Sequence, residues 1–181
     1  MTTSSFYHPA MGFLALALIL PFLRGKSWWR WLLPIPAIAA FVSAVTAEHG
    51  IYGVINYLGQ PLVLARVDRL SIVFAHVFAI QAFIGIIYAF HVKEKAHHIA
   101  STLYVAGSFG CTFAGDYLTL FMFWELMAVA STFLIWLRRN PISTQAGFRY
   151  LLFHILGGLF LLAGILLRYN AVGGLDRKSV V

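Results

Sequence analysis

The sequence is dominated by six long apolar runs, separated by shorter segments that carry nearly all of the charge. A run of about 20 apolar residues is long enough to cross the hydrocarbon core of a bilayer as a helix. None of the runs alternates with a period of two, and backbone polar groups in lipid must be paired within their own segment, so the runs predict helices rather than barrel strands. The predicted segments are 6–23, 28–47, 70–90, 99–114, 117–137 and 150–167.

The composition supports the same fold class. Hydrophobic residues make up 61% of the 181-residue chain and charged residues only 10%, whereas soluble domains carry about 25% charged residues. The fold class we predict is therefore all-α, a polytopic membrane helix bundle of about six transmembrane helices. The net charge of +7 comes from basic residues between the apolar runs. Because they form no basic stripe or groove-reading module, we expect contacts with the lipid bilayer and no nucleic-acid partner.

The basic residues are distributed unequally between the two sides of the predicted bundle. Cytoplasmic loops of membrane proteins carry an excess of Lys and Arg, so this asymmetry predicts an orientation. We expect a multi-pass protein of the cell inner (plasma) membrane with its N-terminus outside. The eight residues on the predicted cytoplasmic side are Arg24, Lys26, Arg30, Lys93, Lys95, Arg138, Arg139 and Arg149, and the three on the outer side are Arg66, Arg69 and Arg168.

The longest polar stretch, 48–69, contains three glycines and Pro61 between short apolar runs. This pattern predicts a structured outer loop that could form a small hairpin. We therefore divide the chain into residues 1–97, with three helices and the outer loop, and residues 98–170, with three more. A tail, 171–181, looks non-native because Asp176–Val181 is the in-frame translation of GATCGGAAGAGCGTCGTG, which resembles a common sequencing adapter.

Two acidic residues lie in or beside the fifth apolar run. Asp116 lies in the short turn before it, where an N-cap role is expected. Glu125 lies nine residues further on, about 13 Å along a helix, which places it near the middle of the membrane. A carboxylate there costs at least a few kcal/mol unless it is paired, hydrated or protonated. Glu125 is therefore the leading candidate for a proton-translocation residue, and Ala128, Val129 and Thr132 are expected on its face.

Two histidines within apolar runs, His154 and His76, are weaker candidates for the same pathway, because imidazole titrates near ambient pH. Each could equally be a packed residue bonded to a backbone carbonyl, or an axial ligand of a b-type cytochrome. A metal cluster at the histidines around Lys93 and Lys95 is a further alternative to a polar interfacial loop. The chain has no phosphate loop, Rossmann fingerprint or zinc motif, so we expect no cofactor and no metal site.

Three stretches carry a resemblance to a known family. Residues 115–127, GDYLTLFMFWELM, resemble the fifth-helix signature of the proton-translocating antiporter-like subunits shared by respiratory complex I, membrane-bound hydrogenases and Mrp-type Na+/H+ antiporters. Residues 67–74, VDRLSIVF, resemble the stretch that opens the third helix in that family. Residues 146–154, AGFRYLLFH, followed by two glycines, look most like the D-type subunit of the Mrp antiporters.

The resemblance implies a membrane protein of about fourteen helices with two inverted five-helix repeats, the first of which begins with the fourth helix. It also implies that Glu125 pairs with a Lys on the seventh helix and that protons pass along a chain of Lys and His residues. The expected function is cation/proton antiport, with H+ and Na+, in a complex with other membrane subunits. The alternative is a proton-pumping subunit of an NADH:quinone oxidoreductase or hydrogenase, with every redox site on partner subunits.

The chain contains six predicted helices, whereas the family has about fourteen. We therefore expect an N-terminal fragment that does not transport ions by itself. The competing hypothesis is a small accessory membrane protein with six helices, which requires the tail to be genuine.

Overall fold

The computed structural model describes residues 6–23, 27–57 and 60–176, which form six α-helices and one β-hairpin. Short 3₁₀ segments extend α1 and α3 and precede α2. The all-α bundle of six predicted helices is confirmed. The helices are α1 (Pro9–Ile19), α2 (Pro34–Thr46), α3 (Arg69–Tyr88), α4 (Lys95–Phe113), α5 (Tyr117–Trp136) and α6 (Pro141–Val172), and the hairpin pairs β1 (Gly50–Tyr57) with β2 (Gln60–Val67).

The six helices run alternately up and down between two ends of the bundle. At one end, which we call the hairpin end, His8 before α1 lies 3.3 Å from the carbonyl oxygen of Leu64 in β2. At the other, the basic end, Lys95 at the start of α4 donates to the carbonyl oxygen of Leu23 after α1. Glu94, also at the basic end, pairs with Arg139 between α5 and α6 at 3.0 Å.

Four of the helical segments are long and apolar enough to cross a membrane, namely 28–46, 69–91, 117–136 and 141–171. The apolar segment 9–22 is shorter, and α4 carries several serine, threonine and histidine side chains. Large apolar side chains point outward on these helices, including Val73 at 60% exposure and Phe160 at 77%. An exposed apolar surface of this extent is what a lipid-facing bundle presents.

The sixth helix begins nine residues earlier than hydropathy predicts, at Pro141 instead of Tyr150. Asn140 caps it by accepting a 2.6 Å hydrogen bond from the Ser143 amide, and proline is favoured at the first helical position. Arg149 therefore lies within α6 rather than in a loop. Arg24 and Lys26, also predicted to lie in a basic loop, fall outside the described residues.

The outer loop folds as an antiparallel hairpin, as the sequence suggested. Its ladder runs from the pair Gly50 and Val67 to the pair Tyr57 and Gln60. The strands begin and end within the predicted stretch 48–69, and Asp68 then caps α3 by accepting a hydrogen bond from the Ser71 amide at 2.8 Å. The hairpin thus passes directly from β2 into a membrane helix.

Asp116 fastens this hairpin to α5. Its Oδ1 accepts the Thr119 amide at 2.8 Å, which confirms the N-cap. Its Oδ2 accepts both the Thr119 hydroxyl and the amide of Val63 in β2, each at 2.7 Å. Asp116 is only 1% exposed, so these three bonds satisfy a buried carboxylate. It is therefore a structural residue that joins the α4–α5 turn to the sheet.

We expect Asp116→Ala to lower the free energy of unfolding by about 2–4 kcal/mol, because it removes an N-cap and leaves the part-buried Val63 amide without its acceptor. Asn140→Ala is the matched control, since Asn140 caps α6 but ties no strand to it; its cost should be about 1 kcal/mol. Thermal unfolding of the full-length protein in detergent measures both. Equal losses in the two variants would show that the bond to β2 contributes nothing.

The interior is built from small residues and a few aromatic rings. Phe13 of α1 stacks on Phe109 of α4 with ring centroids 5.5 Å apart. Helices α4 and α5 pack closely at Gly110, because this residue has no side chain and the ring of Phe123 occupies the space. Interfaces of small residues are how membrane helices approach one another. This contact holds α5 firmly on the side away from α6.

Part of the predicted tail, 171–181, is described. α6 extends to Val172, and Asp176 lies with its Oδ1 2.7 Å from Nη2 of Arg66. Residues 177–181 lie outside the described residues. The domain division and the origin of the tail stay predictions.

Candidate functional site

The site is built around Glu125, the ninth residue of α5, about 12 Å from the start of that helix. Its Oε1 is buried and has no hydrogen-bond partner among the described residues. A buried polar atom without a partner costs about 1–3 kcal/mol, and more when it is charged. The structure therefore leaves one oxygen of this carboxyl buried without a donor from the described residues.

The carboxyl of Glu125 lies against the backbone of α6 at Gly158. A Cβ atom added to Gly158 would overlap Oε1 and lie 3.2 Å from the carboxyl carbon. Gly158 is buried, whereas a Cβ added to the adjacent Gly157 would meet no atom within 4 Å. Gly158 thus provides the space that the Glu125 carboxyl occupies, whereas Gly157 faces no part of it.

His154 lies one helical turn before Gly158 on α6. Its ring stacks on Trp124, with centroids 5.9 Å apart and planes 10° from parallel, and on Tyr150, at 5.3 Å and 16°. Trp124 meets His154 and Glu125 meets Gly158, so both candidate residues lie on the contact between α5 and α6. We call this contact the α5–α6 seam.

His76 is not part of that arrangement. It lies on α3, its Nδ1 is 2.8 Å from the carbonyl oxygen of Ile72, and its ring meets Phe41 of α2 edge-on at 5.4 Å. The structure thus places His76 and His154 in different helix contacts, so they do not form a facing pair of the kind that would ligate a haem.

The histidines at the basic end make local polar contacts. Nδ1 of His97 lies 3.1 Å from the Glu94 carboxylate, and Nε2 of His98 lies 3.0 Å from the carbonyl oxygen of Val92. Across the ranges 6–23, 27–57 and 60–176, no three His, Cys, Asp or Glu residues are grouped so that they could hold a metal ion.

The three residues predicted to share the Glu125 face differ in their exposure: two are buried and one is exposed. Ala128 and Thr132 are each 2% exposed, and the Thr132 hydroxyl donates to the Ala128 carbonyl oxygen at 2.8 Å. Val129 is instead 46% exposed. Sequence reasoning did not single out Trp124 or Tyr150, because only the pairing of two helices reveals that both rings flank His154.

Comparison with known proteins finds relatives among membrane antiporter subunits. The family model described as NADH:quinone oxidoreductase/Mrp antiporter, TM, matches residues 114–180, which include α5 and α6. The D-type subunit of a probable K(+)/H(+) antiporter of Rhizobium meliloti is 30% identical over 146 residues, covering 79% of this chain and 27% of the relative. The A-type subunit of the Na(+)/H(+) antiporter of Alkalihalophilus pseudofirmus is 25% identical, covering 92% of this chain and 23% of the relative. The chain thus spans about a quarter of the length of these two curated relatives.

Solved structures show the same fold. A chain of the membrane-bound sulfane sulfur reductase, an archaeal respiratory membrane complex, matches with a TM-score of 0.75 at 21% identity, over 94% of this chain and 37% of that one. A chain of the Mrp complex from Dietzia sp. DQ12-45-1b matches with a TM-score of 0.73 at 22% identity, over 93% of this chain and 20% of that one. Taken with the helix bundle, these matches show that the chain is similar to antiporter-like membrane subunits, with residues 114–180 matching the NADH:quinone oxidoreductase/Mrp antiporter model.

Proposed function

We propose that this chain is part of a membrane subunit for cation/proton antiport and that Glu125 is the residue that takes up and releases the proton. The observation that carries the proposal is the buried, unpartnered Oε1 of Glu125 on an apolar, membrane-length helix. A carboxyl at that depth is stable when protonated or when a basic group lies beside it. Its proton affinity therefore depends on whether such a partner is near, which is what proton translocation requires.

His154 is the second residue of the proposed pathway. It shares the α5–α6 seam with Glu125, and imidazole can accept a proton on one nitrogen while releasing one from the other. His76 is a weaker candidate, since its Nδ1 already faces the Ile72 carbonyl oxygen. The basic partner of Glu125 is proposed to come from a part of a longer polypeptide, because the relatives are about four times as long as the aligned region.

The transported cation is proposed to be Na+ or K+, the ions named for the two curated relatives. We further propose that the protein works within a multisubunit membrane complex, as the matched Mrp and sulfane sulfur reductase chains belong to complexes. The membrane is proposed to be the plasma membrane, with the basic end cytoplasmic and the N-terminus outside. Arg138 and Arg139 at the basic end support that orientation.

A proton-pumping role in an NADH:quinone oxidoreductase is the second candidate, since the matching family model covers both groups of proteins. The two functions differ in what drives proton movement: a cation gradient in one, and electron transfer in partner subunits in the other.

We expect vesicles containing the full-length protein in its complex to release an imposed proton gradient when Na+ or K+ is added, and not when choline is added. A pH-sensitive dye inside the vesicles measures this. Vesicles prepared from cells that lack the complex are the control. Proton movement that needs NADH or another reductant, and ignores Na+ and K+, would replace antiport by the pumping function.

A further inference from the structure

The α5–α6 seam continues from Glu125 to the basic end as a series of polar contacts. The two helices are antiparallel: Glu125 lies beside Gly158, and further toward the basic end Ser131 lies beside Tyr150. Six residues of helix separate Glu125 from Ser131, about 9 Å of rise. The polar groups of the seam therefore cover about 9 Å of the distance between the carboxyl and the basic end, and α5 continues from Ser131 to Trp136.

The hydroxyls of Ser131 and Tyr150 form the contact nearer the basic end, with their oxygens 2.9 Å apart. Ser131 donates its own proton to the carbonyl oxygen of Ala128 at 2.9 Å. Since a serine hydroxyl has one proton, Tyr150 is the donor in the pair. The Tyr150 oxygen then keeps its acceptor capacity, so it can take a hydrogen bond from water arriving from the basic end.

His154 lies between this pair and Glu125. Tyr150, His154 and Gly158 are four residues apart on α6 and so follow each other on one face, with a rise of about 6 Å per step. The imidazole of His154 lies nearly parallel to the rings of both Trp124 and Tyr150. Because stacking uses the faces of a ring, the edge of the imidazole, which carries both nitrogens, can form hydrogen bonds.

The opposite side of α5 carries its contact with α4, where the Ser108 hydroxyl lies 3.3 Å from the sulfur of Met127. There α4 meets α5 through Gly107 and Gly110, whose missing side chains are replaced by Met127 and the ring of Phe123. The Glu125 carboxyl lies instead against Gly158 of α6. The polar groups of the α6 side are therefore the ones on the same helix contact as the carboxyl.

We propose that protons pass between the basic end and Glu125 along the α5–α6 seam, with Tyr150 and Ser131 at its entrance and His154 in the middle. The steps of about 6 Å require bridging water molecules. His154 accepts a proton on one nitrogen and releases one from the other, and the Glu125 carboxylate accepts it; transfer in the opposite direction reverses each step. This inference rests on the proposed function and adds the route by which one side of the membrane reaches the carboxyl.

The test uses Tyr150→Phe in the full-length complex, because phenylalanine keeps the ring that stacks on His154 and removes only the hydroxyl. We expect transport to fall about 10-fold, within the range that a positioned proton-transfer group contributes. We also expect the ratio of rates in H₂O and D₂O to rise above that of the wild type, because proton delivery becomes limiting. Tyr104→Phe, which removes a hydroxyl from α4, is the control and should leave both quantities unchanged.

Three outcomes separate this route from the proposed function. A lower rate with a larger isotope ratio in Tyr150→Phe supports the route. An unchanged rate, or a lower rate with an unchanged isotope ratio, overturns it while antiport by the wild type still stands. Full activity in a variant with a neutral residue at position 125 overturns the proposed function itself.

Discussion

Glu125→Gln should abolish cation-dependent proton movement, lowering the rate by about 100-fold or more. Glutamine has nearly the same shape as glutamate and fits beside Gly158, but its amide neither takes up nor releases a proton at physiological pH. The change removes the chemistry while keeping the packing of α5 on α6. Proton movement in vesicles, followed with a pH-sensitive dye after addition of Na+ or K+, measures the loss.

Glu48→Gln is the matched control, since it makes the same chemical change between α2 and the hairpin, outside the predicted membrane spans. We expect it to transport as the wild type does. Assembly of both variants is checked by the yield of intact complex after purification. Wild-type transport by an assembled Glu125→Gln complex would remove Glu125 from the mechanism.

Gly158→Ala should reduce transport about 10- to 100-fold, because displacement of a reacting group by about 1 Å has effects of that size. The new methyl group would occupy the position of Oε1, so the carboxyl has to move out of its place against α6. The same assay as above measures the effect. Helix stability does not explain such a loss, since alanine is the better helix former by about 1 kcal/mol.

Gly157→Ala and Gly164→Ala are the controls for that variant. A Cβ added to either glycine meets no atom within 4 Å, so both variants gain helix propensity without touching the carboxyl. Their transport should equal that of the wild type. Equal transport by all three alanine variants would mean that the position of the Glu125 carboxyl beside Gly158 does not affect the transport rate.

The helices themselves could be predicted from hydropathy, because a membrane helix must be apolar along most of its length. The start of α6 could not, since 141–149 is polar and hydropathy sees only the apolar part. Asn140 and Pro141 are a start signal of a different kind, a cap followed by a first-turn proline. Capping signals combined with hydropathy predict the full length of α6.

The candidate site was predictable only in part. The depth of Glu125 follows from its distance along α5, which a single helix determines. Its contact with Gly158 depends on how α6 packs against α5, and one helix's periodicity contains no information on that pairing. For the same reason the sequence offered His76 and His154 on similar grounds, whereas the structure places only His154 beside Trp124 and on the seam.

The bonds of Asp116 also have a mechanical consequence. Because one carboxylate accepts hydrogen bonds from both β2 and the first turn of α5, the extramembrane hairpin and the helix that carries Glu125 cannot shift independently without breaking these bonds. Only nine residues of stiff helix separate the two acidic side chains. Whatever restrains the hairpin therefore also sets the height at which the carboxyl rests within the bilayer.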